Sequence, residues 1–272
     1  VKMSKPQSPQ RFYAADGLNV RTYDRRAAVD AVLFEDDVPF WVERARENGG
    51  PVLELGCGTG RVLLEIARAG IAATGLELSR AMLGVARDKL AAEPEEVRER
   101  TLLFHGDMAD FDLGRAFEMV IIPFRGFQEL LTVHDQRACL ACVRDHLAPG
   151  GELILDLFDP RLDIVLAPED DEPVSLPAVQ LDDGAELKVE ILRRTNDPLK
   201  QVLTEIWRFT EVAADGTETA SEVEAHSLRW TWRSEMRHLL ELEGFVVEGE
   251  YSDFHFGPPV SGRQQVWAAR VD

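Results

Sequence analysis

Cysteine and positive charge are both scarce in this 272-residue chain: it has three cysteines, and 30 lysines and arginines against 49 aspartates and glutamates. Three cysteines cannot frame a disulfide scaffold in a chain this long. The net charge of −19 repels polyanions, and no basic run is longer than the pairs Arg25-Arg26 and Arg193-Arg194. Nucleic acid and anionic membrane surfaces are therefore not expected as partners. Long apolar runs are missing too. The longest, Met119 to Phe124, is far below the roughly 18 residues of a membrane span. The first ten residues, VKMSKPQSPQ, are polar with no signal-type apolar core, so a disordered lead-in and a cytoplasmic protein are expected. What the chain does have is 45% apolar residues, enough for a real core.

Cys139 and Cys142 have C-x-x-C spacing, but they stand inside a helical pattern with no second ligand pair nearby, so no metal is expected. Leu140, Val143 and Leu147 form the apolar stripe of that helix.

From Pro51 to about Pro160, short apolar runs alternate with helix-periodic segments, which is the βαβ signature of a parallel sheet with helices on both faces. Strands are expected at Val52–Leu55, Ile71–Leu76, Thr101–Phe104, Phe117–Ile122 and Glu152–Leu157. Helices are expected at 35–48, 60–69, 79–92 and 134–147, with Gly70 and Gly150 as helix stops and Ser79 as a cap. Residues 161 to 184 carry the acidic run Pro168-Glu169-Asp170-Asp171-Glu172-Pro173, read as an exposed loop. Period-two segments follow at Glu186–Arg194, Val202–Val212 and Ser221–Trp232, separated by turn signals at Asn196-Asp197-Pro198 and Asp215-Gly216. They predict an antiparallel β meander inserted into the α/β frame. A helix over Ser234–Glu243 and strands near Phe245–Glu250 and Gln264–Val271 complete the sheet. The chain divides accordingly into 1–50, a leading segment; 51–160, a Rossmann-like core; 161–232, the meander; and 233–272, the closing elements.

The most informative stretch is VLELGCGTGR, residues 52 to 61. An apolar strand runs into Gly56, Cys57, Gly58, Thr59 and Gly60, and a helix begins at once. Glycines let the chain turn sharply and let a ligand approach the backbone, at the carboxyl end of a strand where open α/β sheets place ligands. The dinucleotide fingerprint G-x-G-x-x-G does not fit, because its last position is Arg61. No Gly-Lys-Ser/Thr follows to make a phosphate-binding P-loop.

E-x-G-x-G-x-G instead resembles the first motif of class I S-adenosylmethionine-dependent methyltransferases. The resemblance extends to Glu77 at the end of the second strand, to Asp107 and Met108 in FHGDM, to Ile122-Pro123-Phe124-Arg125, and to LAPGGELILDLF. It implies that Glu54, Gly56, Cys57, Gly58 and Gly60 line the cofactor's amino-acid portion, Glu54 acting through water or the loop backbone; the other reading of Glu54 is that it simply orders the glycine turn. Glu77 with Leu78 would hold its ribose, Asp107 with Met108 its adenine, and Met82 and Pro123 would lie beside them. Arg61 would either touch the cofactor or form a helix-surface ion pair. Tyr13 or Tyr23 would cover the site from the N-terminal segment.

In this family the methyl donor is already activated, so aligning donor and acceptor and excluding water suffices for much of the catalysis. An acceptor that must lose a proton makes histidines the residues to watch. His226 shares strand parity with Leu228, Trp230 and Trp232 and is one candidate base; His255, in a late loop, is another, while His105 reads as structural. Phe124, Arg125, Phe127, Trp230 and Trp232 are candidates for the acceptor pocket, and a tryptophan-bearing meander face could make a homodimer contact. The GLELS and GDMADFDLGR strings, with the meander, are similar to bacterial small-molecule methyltransferases that include aminosugar N-methyltransferases. The resemblance thus implies methyl transfer to nitrogen or oxygen of a small molecule. A non-catalytic S-adenosylmethionine sensor and, less favoured by the glycine spacing, an NAD-dependent oxidoreductase are the alternatives.

Overall fold

The computed structural model describes residues 10–29, 37–165, 172–181 and 184–271. Residues 1–9 of the polar lead-in, the first two positions of the helix expected at 35–48, and most of the acidic run at 168–173 lie outside them. In chain order the strands are β1 (Gln10–Arg11), β2 (Val52–Leu55), β3 (Ala73–Glu77), β4 (Thr101–His105), β5 (Phe117–Ile122), β6 (Leu147–Phe158), β7 (Val174–Ser175), β8 (Val179–Gln180), β9 (Glu186–Asp197), β10 (Val202–Val212), β11 (Glu218–Arg229), β12 (Val246–Tyr251) and β13 (Gln264–Arg270).

Seven of them form the core sheet in the order β12-β13-β6-β5-β2-β3-β4. β6, β5, β2, β3 and β4 pair in parallel, while β13 and β12 add antiparallel strands at one edge. Strand parity divides the core between two faces. Leu53 and Leu55 pack with Val120, Leu155 and the helices Val133–His146 and Arg233–Leu242. Val52 packs with Met119, Ile154 and the helices Asp37–Asn48 and Leu63–Arg68. The α/β sheet with helices on both faces is thus the fold expected from the sequence. The chain order reverses between β2 and β5, and in open α/β sheets that switch point is where ligands bind.

The second sheet, β1-β11-β10-β9-β7 with β8 on β9, contains the expected meander of three long antiparallel strands. It is wider than 161–232, because Gln10 and Arg11 pair in parallel with Glu224 and Ala225. Two expectations shift here. β11 ends at Arg229, so Trp230 and Trp232 fall beyond the strand rather than on the His226 face. Trp230 is buried with Val165 and Leu203, its indole N–H donating to Asn196 Oδ1 at 2.9 Å. The strand stops there because the buried Arg229 turns to Gln136, Gln201 and Glu235. Gly150 is likewise no helix stop: that helix ends at His146, and Gly150, with φ of 75°, lies within β6. Gly70 does follow the end of Leu63–Arg68, its N–H donating to Ala67, and Ser79 caps Arg80–Ala91, its hydroxyl accepting from the Met82 N–H. The helices Leu18–Arg21, Tyr23–Val29, Glu95–Glu99 and Leu162–Val165 were not expected; each has seven or fewer residues, too short for a clear apolar period.

Candidate active site

At the carboxyl end of β2 the backbone curls across β3: the Gly56 and Cys57 N–H groups both donate to the Leu76 carbonyl. Gly56, Gly58 and Gly60 all take positive φ, 71°, 55° and 77°, which other residues adopt only at a cost. A Cβ on Gly56 would lie 3.4 Å from the Met108 methyl and one on Gly58 3.6 Å from that of Met82. Two flexible thioether side chains therefore lie against the loop's open side. Glu77, at the end of β3, closes the turn, accepting from the Gly58 N–H at 2.9 Å and the Ser79 N–H at 2.6 Å. Burial raises its carboxyl above the usual range, against those hydrogen bonds.

These groups open onto a cavity of about 1020 Å³ between the two sheets. Of the residues singled out in the sequence, Gly56, Gly58, Glu77, Leu78, Met82, Asp107, Met108, Pro123, Phe124, Arg125 and His226 line it, as do Tyr13, Tyr23 and His105. Leu78 is an apolar side chain left 43% exposed in this wall. Asp107 accepts from the Ala109 N–H at 2.9 Å, making the turn after β4.

Other candidates stand behind or away from this wall. Glu54 shares the parity of Val52 and is buried beneath the loop; burial raises its carboxyl well above the usual range, and its Oε2 has no hydrogen-bond partner. Cys57 is buried, its thiol raised by the same cause, and Gly60 packs on Leu64 and Ala86. Phe127 is wholly buried in the core. Trp230 and Trp232 do not reach the cavity, and neither does His255, which sits in the Asp253 turn. Arg61 forms a buried bidentate ion pair with Asp37, at 2.8 and 2.6 Å. Of its two expected roles this is the ion pair, inside the molecule rather than on its surface.

The N-terminal segment is fastened over the loop. Asp24, in the helix Tyr23–Val29, accepts from the Thr59 hydroxyl at 2.7 Å and from the Lys89 ammonium at 3.0 Å. Burial raises the Tyr13 hydroxyl well above its ordinary value and that of Tyr23 to about 12, so both stay neutral at physiological pH.

Across the cavity, His226 Nε2 lies 2.8 Å from a Glu129 carboxylate oxygen. The imidazole is stacked on Phe12, with ring centroids 4.2 Å apart, and the indole beside it is Trp207 rather than Trp230 or Trp232. β10 pairs Glu205 with His226, so Trp207, two residues on, shares that face. Phe12, Glu129, Glu205 and Trp207 all line the cavity and were not singled out from the sequence. They come from three separate stretches of chain, and only the period-two pair Glu205 and Trp207, both on β10, hints at a shared face.

Below the cavity floor, Asp156 accepts from the Phe124 N–H at 2.5 Å, and burial raises its carboxyl from 3.8 to about 7. Phe124 and Arg125 are both left-handed, with φ of 53° and 64°, a strained pair at the end of β5.

A family model described as a methyltransferase domain matches residues 52–151. The dTDP-3-amino-3,4,6-trideoxy-alpha-D-glucopyranose N,N-dimethyltransferase of Streptomyces venezuelae is 33% identical over 120 residues, covering 44% of this chain and 47% of that protein. The chain thus spans about half the length of the curated relatives it first matches. Two solved structures are similar over nearly their whole length. The CcbJ methyltransferase of Streptomyces caelestis has a TM-score of 0.76 at 24% identity, covering 97% of this chain and 99% of its own. CalS10 of Micromonospora echinaspora, an amino pentose methyltransferase with S-adenosylmethionine bound, has a TM-score of 0.68 at 25% identity, covering 94% and 98%.

Proposed function

We propose that this chain, which carries a class I S-adenosylmethionine-dependent methyltransferase domain and is similar to aminosugar N-methyltransferases, methylates an amine nitrogen of a small molecule. The observation that carries this reading is the continuity of one cavity from the glycine loop and Glu77 to the Glu129–His226 pair.

The residues present fit the cofactor. The glycine loop leaves room for it beside Met82 and Met108, and Glu77 offers a carboxylate where ribose hydroxyls donate. Asp107, which lines the same cavity, would meet the adenine amino group, and behind the loop the Glu54 carboxyl accepts from the Leu63 N–H. When bound, S-adenosylmethionine supplies a methyl group on a sulfonium: the C–S bond breaks with its electron pair on sulfur as the N–C bond forms.

The chain's own tasks are then alignment, dehydration and proton handling. Glu129 attracts the acceptor ammonium, and the Glu129–His226 pair takes the proton it must lose to expose its lone pair. An oriented carboxylate–imidazole pair is a recurrent device for this step. Tyr13 and Tyr23 line the site, and the Asp24–Thr59 contact ties the helix that carries Tyr23 to the glycine loop. The protein is expected in the cytoplasm, where both substrates would be met.

Incubation with S-adenosylmethionine and parallel panels of amines and alcohols tests this. S-adenosylhomocysteine release should depend on amines, with each product heavier by one methyl-for-hydrogen exchange. Turnover with alcohols alone would contradict the nitrogen assignment. Cofactor binding without turnover in either panel would favour a sensor.

A further inference from the structure

Resting on that reading, we infer that the acceptor is a cationic amine on an apolar body, not an amine carried on a nucleoside diphosphate. The far wall of the cavity is apolar, with Leu176, Val189, Ile191 and Leu228 beside the rings of Phe12 and Trp207. The indole is held in place. Its N–H donates to Glu205 at 3.1 Å, and Arg194 grips the same carboxylate at 2.8 Å. Phe12 meets it edge to face, with centroids 5.7 Å apart. Aromatic walls beside a carboxylate favour an alkylammonium through cation–π attraction and charge pairing.

The charges around the cavity point the same way. Its described walls present five carboxyl groups, Glu77, Asp107, Glu129, Asp135 and Glu205, against three guanidinium groups, Arg26, Arg80 and Arg125, with a fourth, that of Arg194, held on Glu205 from behind the wall. Arg26 donates to the Asn19 carbonyl at 2.9 Å and lies over the Phe209 ring. Arg125 lies beside the Phe124 and Phe158 rings. The helix N-terminus at Ser79, which could otherwise receive a phosphate, already holds the Glu77 carboxylate at 2.6 Å. A diphosphate would add two negative charges to an acidic wall in a chain of net charge −19, whereas an ammonium lowers the local excess.

Calorimetry on protein loaded with S-adenosylhomocysteine tests this with tryptamine, phenethylamine and cyclohexylamine on one side and thymidine diphosphate on the other. At least one amine should bind saturably and thymidine diphosphate should not. Glu129→Gln and, separately, Trp207→Ala should weaken that amine about tenfold or more, while S-adenosylhomocysteine affinity stays within about twofold, which also reports an intact fold. Saturable thymidine diphosphate binding, no heat with any of the three amines, or full amine affinity in both variants overturns the inference and leaves the methyltransferase reading standing. Failure to bind S-adenosylhomocysteine at all removes that reading, and this inference with it.

Discussion

At the residue scale, the site is built on carboxyl groups whose surroundings differ. Glu77 accepts backbone N–H groups from both ends of the ligand turn, so its loss should affect cofactor binding before it affects the fold. Glu77→Ala is expected to weaken S-adenosylmethionine binding by about 1.5–3 kcal/mol, the increment for a charged hydrogen bond; unchanged affinity by calorimetry would remove Glu77 from the site. Asp156 is a different case. Its folded value of about 7 lies above its ordinary 3.8, so between those values the folded chain holds a proton that the unfolded chain releases. Ionising the buried carboxyl therefore costs stability progressively from about pH 4 to pH 7, and below pH 4 the cost is absent. Asp156→Asn mimics the neutral form and can still accept from the Phe124 N–H. Its melting temperature should rise relative to the parent between pH 5 and pH 8, and a difference constant with pH would show that Asp156 does not titrate in this way.

Elements explain why some positions were legible in the sequence and others were not. The glycine loop follows β2, Glu77 ends β3 and the Asp107–Met108 pair lies just after β4; spacing pointed to the first two and the family resemblance to the third, and β2 and β5 fall on the residues expected. Glu54 is a residue that spacing leaves between two readings. Its strand parity aims it beneath the loop, between the sheet and the helices Asp37–Asn48 and Leu63–Arg68, so it supports the turn rather than lining the cavity. Trp230 was placed on the His226 face by extending a period of two past Arg229, where a buried guanidinium network ends the strand. Gly75 in β3 is a packing requirement that the sequence conceals: a Cβ there would lie 2.6 Å from the Cys57 sulfur and 2.7 Å from a Leu63 methyl. Gly75→Ala should therefore cost about 1–3 kcal/mol by overpacking, read as a lower denaturant midpoint with little change in slope.

Across the whole molecule, two sheets and an N-terminal segment converge on one cavity, and that convergence was the least legible feature. Glu129, Phe12, Trp207 and His226 come from a 3-10 turn, the N-terminal segment, β10 and β11, and nothing local in the chain announces that they meet. Asp24 ties the N-terminal segment to the glycine loop through Thr59 and to the helix Arg80–Ala91 through Lys89. Asp24→Ala should loosen that cover, raising amide exchange across residues 18–29 and weakening the cofactor several-fold while exchange in the core strands is unchanged. Equal exchange in parent and variant would show that the contact does not fasten the segment.

The central claim, that the cavity at the switch point between β2 and β5 takes an adenosyl sulfur compound, is tested most directly by titrating the purified protein with S-adenosylhomocysteine and, in parallel, with NAD. The account predicts one saturable site for S-adenosylhomocysteine, weakened in Glu77→Ala, and no comparable heat from NAD. Equal or tighter binding of NAD, or no binding of S-adenosylhomocysteine by folded protein, would contradict it.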